Sequence, residues 1–138
     1  MALAKVLARG QITIDPHAEQ CQRLLRALAE GRSQAVLEAM VVHELTYVLP
    51  RFIKTMTRSD VAQYLISIIS WNGVIADKDV LTEAAQLWAA HSVGFIDAYL
   101  VARSRREDRP VYTRNVADLR TCGAAVTPLH RQMERGRG

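Results

Sequence analysis

The sequence predicts an α/β fold in which helices alternate with the short strands of a parallel sheet. Segments with apolar residues spaced three and four apart indicate helices, and short apolar, β-branched runs between them indicate strands. Strands without a polar face belong to parallel sheets that helices cover on both sides. A chain of 138 residues is close to the commonest domain size, so we expect a single domain over residues 1–138.

The first half of the chain contains three of these helices and two of the strands. Helices are expected at residues 17–30, 39–53 and 59–71, and strands at residues 34–37 and 74–76. Gly31 ends the first helix, and Pro50 kinks or closes the second. Thr57 or Ser59 caps the third helix. The apolar stripe of that helix consists of Val61, Leu65, Ile68 and Ile69.

The second half repeats the alternation of helix and strand. Helices are expected from Asp77 or Asp79 through Trp88 and over residues 95–107, and strands at residues 110–113 and near 125–127. Gly94 separates the two helices, and a polar loop separates the two strands. In such folds, binding sites form where strands end and the following helices begin. Acidic residues at those positions are therefore the candidates for a site.

The charge of the chain is unevenly distributed. A net charge of +4 favours contact with a polyanion only weakly, because many proteins share this balance. Four arginines nevertheless crowd one segment: Arg103, Arg105, Arg106 and Arg109. This cluster is either a solvated helix face or a surface that contacts phosphate groups.

Membrane and disulfide-rich classes do not fit the sequence. No apolar run approaches the roughly eighteen residues that a membrane span requires, and the first residues do not resemble a signal peptide. Cys21 and Cys122 are too few and too far apart for a disulfide scaffold or a zinc-ligand pair, so we expect free thiols. The reducing cytoplasm is the expected compartment.

Glu44 is the first acidic candidate. Its spacing from Val41 and Val48 places it on a helical stripe that continues through Leu45 and Phe52. A carboxylate on a buried stripe is costly unless it is paired or bound to a cation. An ion pair with an arginine is the alternative explanation.

Asp97 and the segment around Asn115 supply the other candidates. Asp97 falls in the first turn of the helix over residues 95–107, where a carboxylate also simply suits the helix dipole. Thr113, Asn115 and Asp118 form a polar cluster directly after a predicted strand. Thr113 and Asn115 are equally suitable as turn and cap residues.

Taken together, three strings in this order and spacing, VVHELTYVL, FIDAYLVARSRRE and PVYTRNVADL, resemble the PIN-domain family, in particular the VapC-type toxins of toxin–antitoxin pairs. The resemblance covers residues 15–128. It implies a three-layer αβα sandwich around a short parallel sheet, with carboxylates that bind Mg²⁺ or Mn²⁺ for endoribonuclease activity. It also implies an antitoxin partner and a homodimer. The helix over residues 57–71, with Tyr64, Ile68 and Trp71, either forms that dimer surface or packs on its own core.

The resemblance assigns the acidic site residue by residue. Glu44 and Asp97 match two of the family's acids, and Asn115 stands where the family often has an Asp. Asp118, three residues further on, is a candidate substitute. The family's first Asp would fall near Leu3, where this sequence has no acid, so the first strand is either truncated or diverged. Losing two carboxylates should weaken metal binding by several kcal/mol, because unit charges about 4 Å apart interact with about 4 kcal/mol at an effective dielectric of 20.

Two functions are compatible with these residues. The first is a VapC-like endoribonuclease in which Glu44 and Asp97 hold the metal ion and Asn115 and Asp118 support them. Such a site needs no protein nucleophile, because Mg²⁺ takes a few carboxylates and activates water. The expected RNA contacts are Arg103, Arg105 and Arg106. The second function is a catalytically weak or inactive PIN-like module that binds an antitoxin-like peptide, a second copy of itself or RNA.

Overall fold

Helices alternate with short strands in the computed structural model of the chain, which describes residues 16–124 and 126–128. The predicted α/β class is thus confirmed. The predicted first strand and the position near Leu3 lie outside the described residues. The chain divides into two compact units, unit 1 (Met1–Lys78) and unit 2 (Asp79–Gly138). The single domain over residues 1–138 stays a prediction.

Unit 1 contains three helices and one pair of strands. Its elements are α1 (Pro16–Glu30), β1 (Ala35–Val36), α2 (Ala39–Phe52), α3 (Arg58–Ser70) and β2 (Val74–Ile75). β1 and β2 pair in parallel, with Ala35 opposite Val74 and Val36 opposite Ile75. All five predicted elements of this half are present, each within one or two residues of the expected bounds.

Two glycines shape the turns of unit 1. Gly31 ends α1 in the left-handed region, with φ +77°, and its N–H donates to the carbonyl of Leu28. Gly73 precedes β2 and comes so close to the backbone that a Cβ there would lie 2.1 Å from the carbonyl oxygen of Ser33. Its own N–H donates to the Leu28 carbonyl at 2.8 Å. The end of α1 and the start of β2 are therefore joined through a contact that only glycine permits.

The buried face of α2 differs from the predicted stripe. The buried residues are Val42, Leu45, Thr46 and Leu49. Val41 and Phe52, two members of the predicted stripe, are 41% and 44% exposed. Glu44 is exposed as well. The expectation of a carboxylate on a buried stripe is therefore wrong, because the helix turns its Val42–Leu49 face, and not its Val41–Phe52 face, inward.

The third helix begins and buries its side chains as predicted. Thr57 is the N-cap of α3: its Oγ1 accepts a hydrogen bond from the Asp60 N–H, and its own N–H donates to Asp60 Oδ2 at 2.9 Å. This reciprocal pair is a capping box. The predicted stripe of α3 is buried throughout. Pro50 lies inside α2, in its last turn, two residues before the helix ends.

Unit 2 contains three helices and a second pair of strands. Its elements are α4 (Lys78–Ala90), α5 (Phe95–Glu107), β3 (Val111–Thr113), α6 (Val116–Thr121) and β4 (Val126–Pro128). α4 begins between the two predicted starts, Asp77 and Asp79. β3 and β4 pair in parallel. The helix α6 occupies the segment predicted as a polar loop, so that prediction is wrong. Six residues give weak local signals, and α6 is formed in contact with β4 and α5.

Apolar side chains of the helices form the core of unit 2. The most deeply buried are Ala84, Ala85, Phe95, Ala98, Val101 and Ala102. Leu119 of α6 is 1% exposed, which accounts for the packing of this short helix. No helix among the described residues is long and apolar enough to cross a membrane.

Candidate functional site

The candidate acids of unit 2 lie where two of its helices begin. Asp97 is half-buried in the first turn of α5, as predicted, and Asp118 is exposed in the first turn of α6. Only residues 108–110 connect α5 to β3, and the two elements pack against each other, so they run in opposite directions. α6, which follows β3, also packs against α5.

A buried thiol, that of Cys122, is affected by both carboxylates. Cys122, directly after α6, is 4% exposed, and both cysteines of the chain are free, as expected. Burial raises the pKa of the Cys122 thiol, and the nearby carboxylates of Asp118 and Asp97 raise this pKa further. Each of the two carboxylates is thus close enough to Cys122 for its charge to act on the thiol.

Asn115 stands between β3 and α6. It is the N-cap residue of α6, but its side chain makes no capping hydrogen bond to the helix. Its N–H donates to Thr113 Oγ1 at 3.0 Å, so Thr113 shapes the turn after the strand. Thr113 thus acts as a turn residue, whereas Asn115 occupies the N-cap position without capping the helix through its side chain. The exposed Asn115 amide carries an oxygen of the type that Mg²⁺ accepts.

Glu44 belongs to unit 1, whereas Asp97, Asn115 and Asp118 belong to unit 2. Across residues 16–124, no three or more His, Cys, Asp or Glu side chains form a group that could hold a metal ion. A magnesium site does not require three such side chains, because Mg²⁺ keeps several waters and uses one or two carboxylates. The oxygen donors of Asp97, Asp118 and Asn115 fit that requirement in kind.

The predicted RNA-binding arginines form ion pairs with carboxylates. Arg103 pairs with Glu107 one turn along α5. Arg105 Nη1 lies 3.0 Å from Glu83 Oε1, and Arg106 Nε lies 3.1 Å from Glu83 Oε2. The side chain of Glu83 is only 18% exposed, so this residue of α4 holds two arginines of α5 at once.

The paired arginines can still contact phosphate groups. The side chains of Arg105 and Arg106 are 50% and 44% exposed. A guanidinium has five N–H donors, so an ion pair with Glu83 does not occupy all of them. Sequence reasoning did not identify Glu83; the available signal was the spacing of Asp79 and Glu83 one turn apart on α4, opposite the basic segment.

Comparison of the chain with models of protein families, with curated proteins and with solved structures gave no significant match.

Proposed function

We propose that this chain is a metal-dependent endoribonuclease of the VapC type, with the three-layer αβα architecture of the PIN domains. The proposal is supported by the positions of Asp97 and Asp118 in the first turns of two helices that pack together, each close enough to Cys122 for its charge to raise the pKa of that thiol. The carboxylates of Asp97 and Asp118, in the first turns of two helices that pack together, and the exposed amide of Asn115 are the hard oxygen donors that Mg²⁺ or Mn²⁺ selects.

Each side chain has a separate role in this proposal. Asp97 and Asp118 bind the ion, Asn115 contributes a neutral oxygen, and Glu44 is the further carboxylate that the resemblance assigns. A bound Mg²⁺ would lower the pKa of water and offset charge on the phosphate. The basic row Arg103, Arg105 and Arg106 would contact the RNA backbone, which gives salt-sensitive affinity without sequence preference. The substrate is cytoplasmic RNA, and an antitoxin protein and a second copy of the chain are the proposed partners.

The test is a titration of Mg²⁺ and Mn²⁺ with a labelled structured RNA. We expect metal-dependent cleavage by the unmodified chain and a decrease of at least about a hundredfold in Asp97→Asn, because one lost charge near a divalent ion costs several kcal/mol. Asp118→Asn and Glu44→Gln should each raise the metal concentration needed for half-maximal cleavage. Glu30→Gln is the matched control, since Glu30 is an exposed acid that pairs with Arg32 at the end of α1.

Metal binding is measured separately from cleavage. Electron paramagnetic resonance of Mn²⁺ reports the free ion, so it shows whether Asp97→Asn weakens binding when no RNA is present. Cleavage that persists in the Asp97→Asn, Asp118→Asn double variant would contradict the proposed site. Cleavage that needs no divalent ion would contradict the proposed chemistry.

Exposed apolar side chains of unit 1 favour a second candidate function, the binding module. Val36 and Ile75 face each other across the β1–β2 pair and are 63% and 50% exposed. Met40, at the start of α2, is even more exposed. Such a surface suits an antitoxin-like peptide or a second copy of the chain. Of the three residues predicted for the dimer surface, by contrast, Ile68 is buried, Trp71 is half-buried and only Tyr64 is well exposed. A folded protein that cleaves no RNA at any metal concentration would favour this second function.

A further inference from the structure

An open pocket lies beside the junction of α5 and β3 in unit 2. Its volume is about 360 Å³, near the lower end of the range of about 300–1,000 Å³ for small-ligand pockets. Side chains from the last turns of α5, from the connecting loop and from β3 line it, among them Leu100, Arg103, Glu107, Arg109 and Tyr112. None of these residues belongs to the candidate metal site.

The loop that forms one wall of the pocket is held in a defined conformation. Asp108 ends α5 in the left-handed region, with φ 51°. The N–H groups of Asp108 and Arg109 both donate to the carbonyl of Ser104, and the buried Ser104 hydroxyl donates to the carbonyl of Arg109. Because three hydrogen bonds converge on one turn, the backbone at Arg109 is fixed before any ligand arrives.

The pocket combines an aromatic ring, an aliphatic side chain and two guanidinium groups. Tyr112 is 51% exposed, although it lies in the middle of β3, and Leu100 is 40% exposed. Arg103 is oriented by its ion pair with Glu107. No carboxylate of the described residues forms an ion pair with Arg109, whose side chain is exposed. An apolar surface therefore stands next to two guanidinium groups, of which that of Arg109 forms no ion pair with a carboxylate of the described residues.

We propose that this pocket binds one nucleotide of single-stranded RNA. The base stacks on Tyr112 beside Leu100, and the phosphate meets the guanidinium groups of Arg109 and Arg103. Single-stranded RNA is recognised in this way, by stacking on aromatic rings and by arginine contacts to the backbone. The Glu107 carboxylate can accept a hydrogen bond from an exocyclic amino group of the base.

The composition of the pocket favours a nucleotide over other ligands. A free phosphate would gain nothing from Tyr112 and Leu100. A purely apolar molecule would leave Arg103 and Arg109 without a role. An acidic peptide would use the arginines, but it would not require an exposed aromatic ring. The inference rests on the proposed function, because it identifies where the substrate of that function is held.

The test measures binding of a fluorescein-labelled, eight-nucleotide single-stranded RNA by anisotropy in EDTA, so that no cleavage occurs. We expect Tyr112→Ala to weaken binding roughly tenfold or more, because base stacking on an aromatic side chain contributes on this scale. Tyr112→Phe retains the ring and should bind like the unmodified chain. Tyr64→Ala is the matched control, since Tyr64 is 43% exposed and lies on α3 of unit 1.

Salt dependence identifies the phosphate contact. We expect Arg109→Ala to reduce the slope of log K against log salt by about 0.7, the value for one phosphate of a single strand. Arg51→Ala, a change at an exposed arginine of α2, should leave the slope unchanged. Circular dichroism spectra of all variants exclude unfolding as the cause of weaker binding.

The outcomes separate this inference from the proposed function. RNA binding in EDTA that depends on Tyr112, in a chain that cleaves nothing with any metal, would support the pocket and overturn the nuclease. Cleavage that depends on Asp97, with equal RNA affinity in Tyr112→Ala and Tyr64→Ala, would overturn the pocket and support the nuclease. No binding of the RNA by the unmodified chain, or binding of an acidic peptide at the same residues instead, would also overturn the inference.

Discussion

Replacing Gly73 by alanine adds a single methyl group at the tightest backbone contact described for a glycine of this chain. The new Cβ would lie 2.1 Å from the Ser33 carbonyl oxygen, 2.6 Å from the Leu28 carbonyl oxygen and 2.9 Å from the Leu28 Cα. All three neighbours are backbone atoms, so no side-chain rotation relieves the overlap. The turn between α3 and β2 must therefore move away from the end of α1.

The cost of that movement follows from the contacts that it breaks. Overpacking a buried site typically costs about 1–3 kcal/mol. The Gly73 N–H would lose its 2.8 Å bond to the Leu28 carbonyl, and the Ala35 N–H would lose its 2.9 Å bond to the Gly73 carbonyl. Each lost hydrogen bond adds about 1 kcal/mol. We expect Gly73→Ala to lower the free energy of unfolding by about 3–5 kcal/mol.

Urea unfolding followed by far-ultraviolet circular dichroism measures this loss. The control is Gly94→Ala, because a Cβ at Gly94 meets no atom within 4 Å and its φ of −69° suits any residue. Gly94 is the N-cap of α5, so this change should cost less than about 1 kcal/mol. If the two alanine variants unfolded at the same urea concentration, the inferred close approach at Gly73 would be refuted.

The remaining two predictions concern a helix start and a thiol. Thr57→Ala should lower the unfolding free energy by about 1 kcal/mol, because the capping box of α3 is lost. Hydrogen bonds from the N–H and side chain of Thr57 lower the pKa of Asp60, so the stability from this pair is present above the ordinary aspartate pKa. This stability is lost as the pH falls through the lowered pKa of Asp60. In the Asp60→Asn variant, the free energy of unfolding measured against pH should therefore lack this acid-dependent decrease. Cys122 is buried and has a raised pKa, so iodoacetamide should alkylate it more slowly than the half-buried Cys21. Equal rates under native conditions, measured by mass spectrometry, would contradict the buried position of Cys122.

Local signals predicted the elements of the fold well. The bounds of α5 match the expected residues 95–107, and Gly94 marks the start of the helix. The cap of α3 followed from Thr57, and the end of α1 followed from Gly31. These features depend on residues close together in the chain, so a sequence contains them.

The orientation of α2 could not be predicted from its apolar pattern. Apolar residues occur on more than one side of this helix, and Met40, Val41 and Tyr47 are all exposed. Periodicity alone therefore could not decide which face packs inward, and it placed Glu44 on the wrong one. Contact with α3 makes that choice, and it depends on residues distant in sequence.

The candidate site was predictable only where it depends on local position. Asp97 was correctly placed in the first turn of its helix, and Asp118 was named as an additional acid. The effect of both carboxylates on the Cys122 thiol depends on the packing of α5 against α6, which no spacing reveals. The pairing of Arg105 and Arg106 with Glu83 is similarly a contact between separate helices.

The ion pairs on α5 have a consequence for how an approaching polyanion is guided. Arg103, Arg105 and Arg106 contribute three positive charges, and their partners Asp79, Glu83 and Glu107 contribute three negative ones. Beyond the Debye length of about 8 Å at physiological ionic strength, this row is electrically neutral. It therefore adds little to the long-range attraction that accelerates diffusional encounter, and its donors act only after contact has been made.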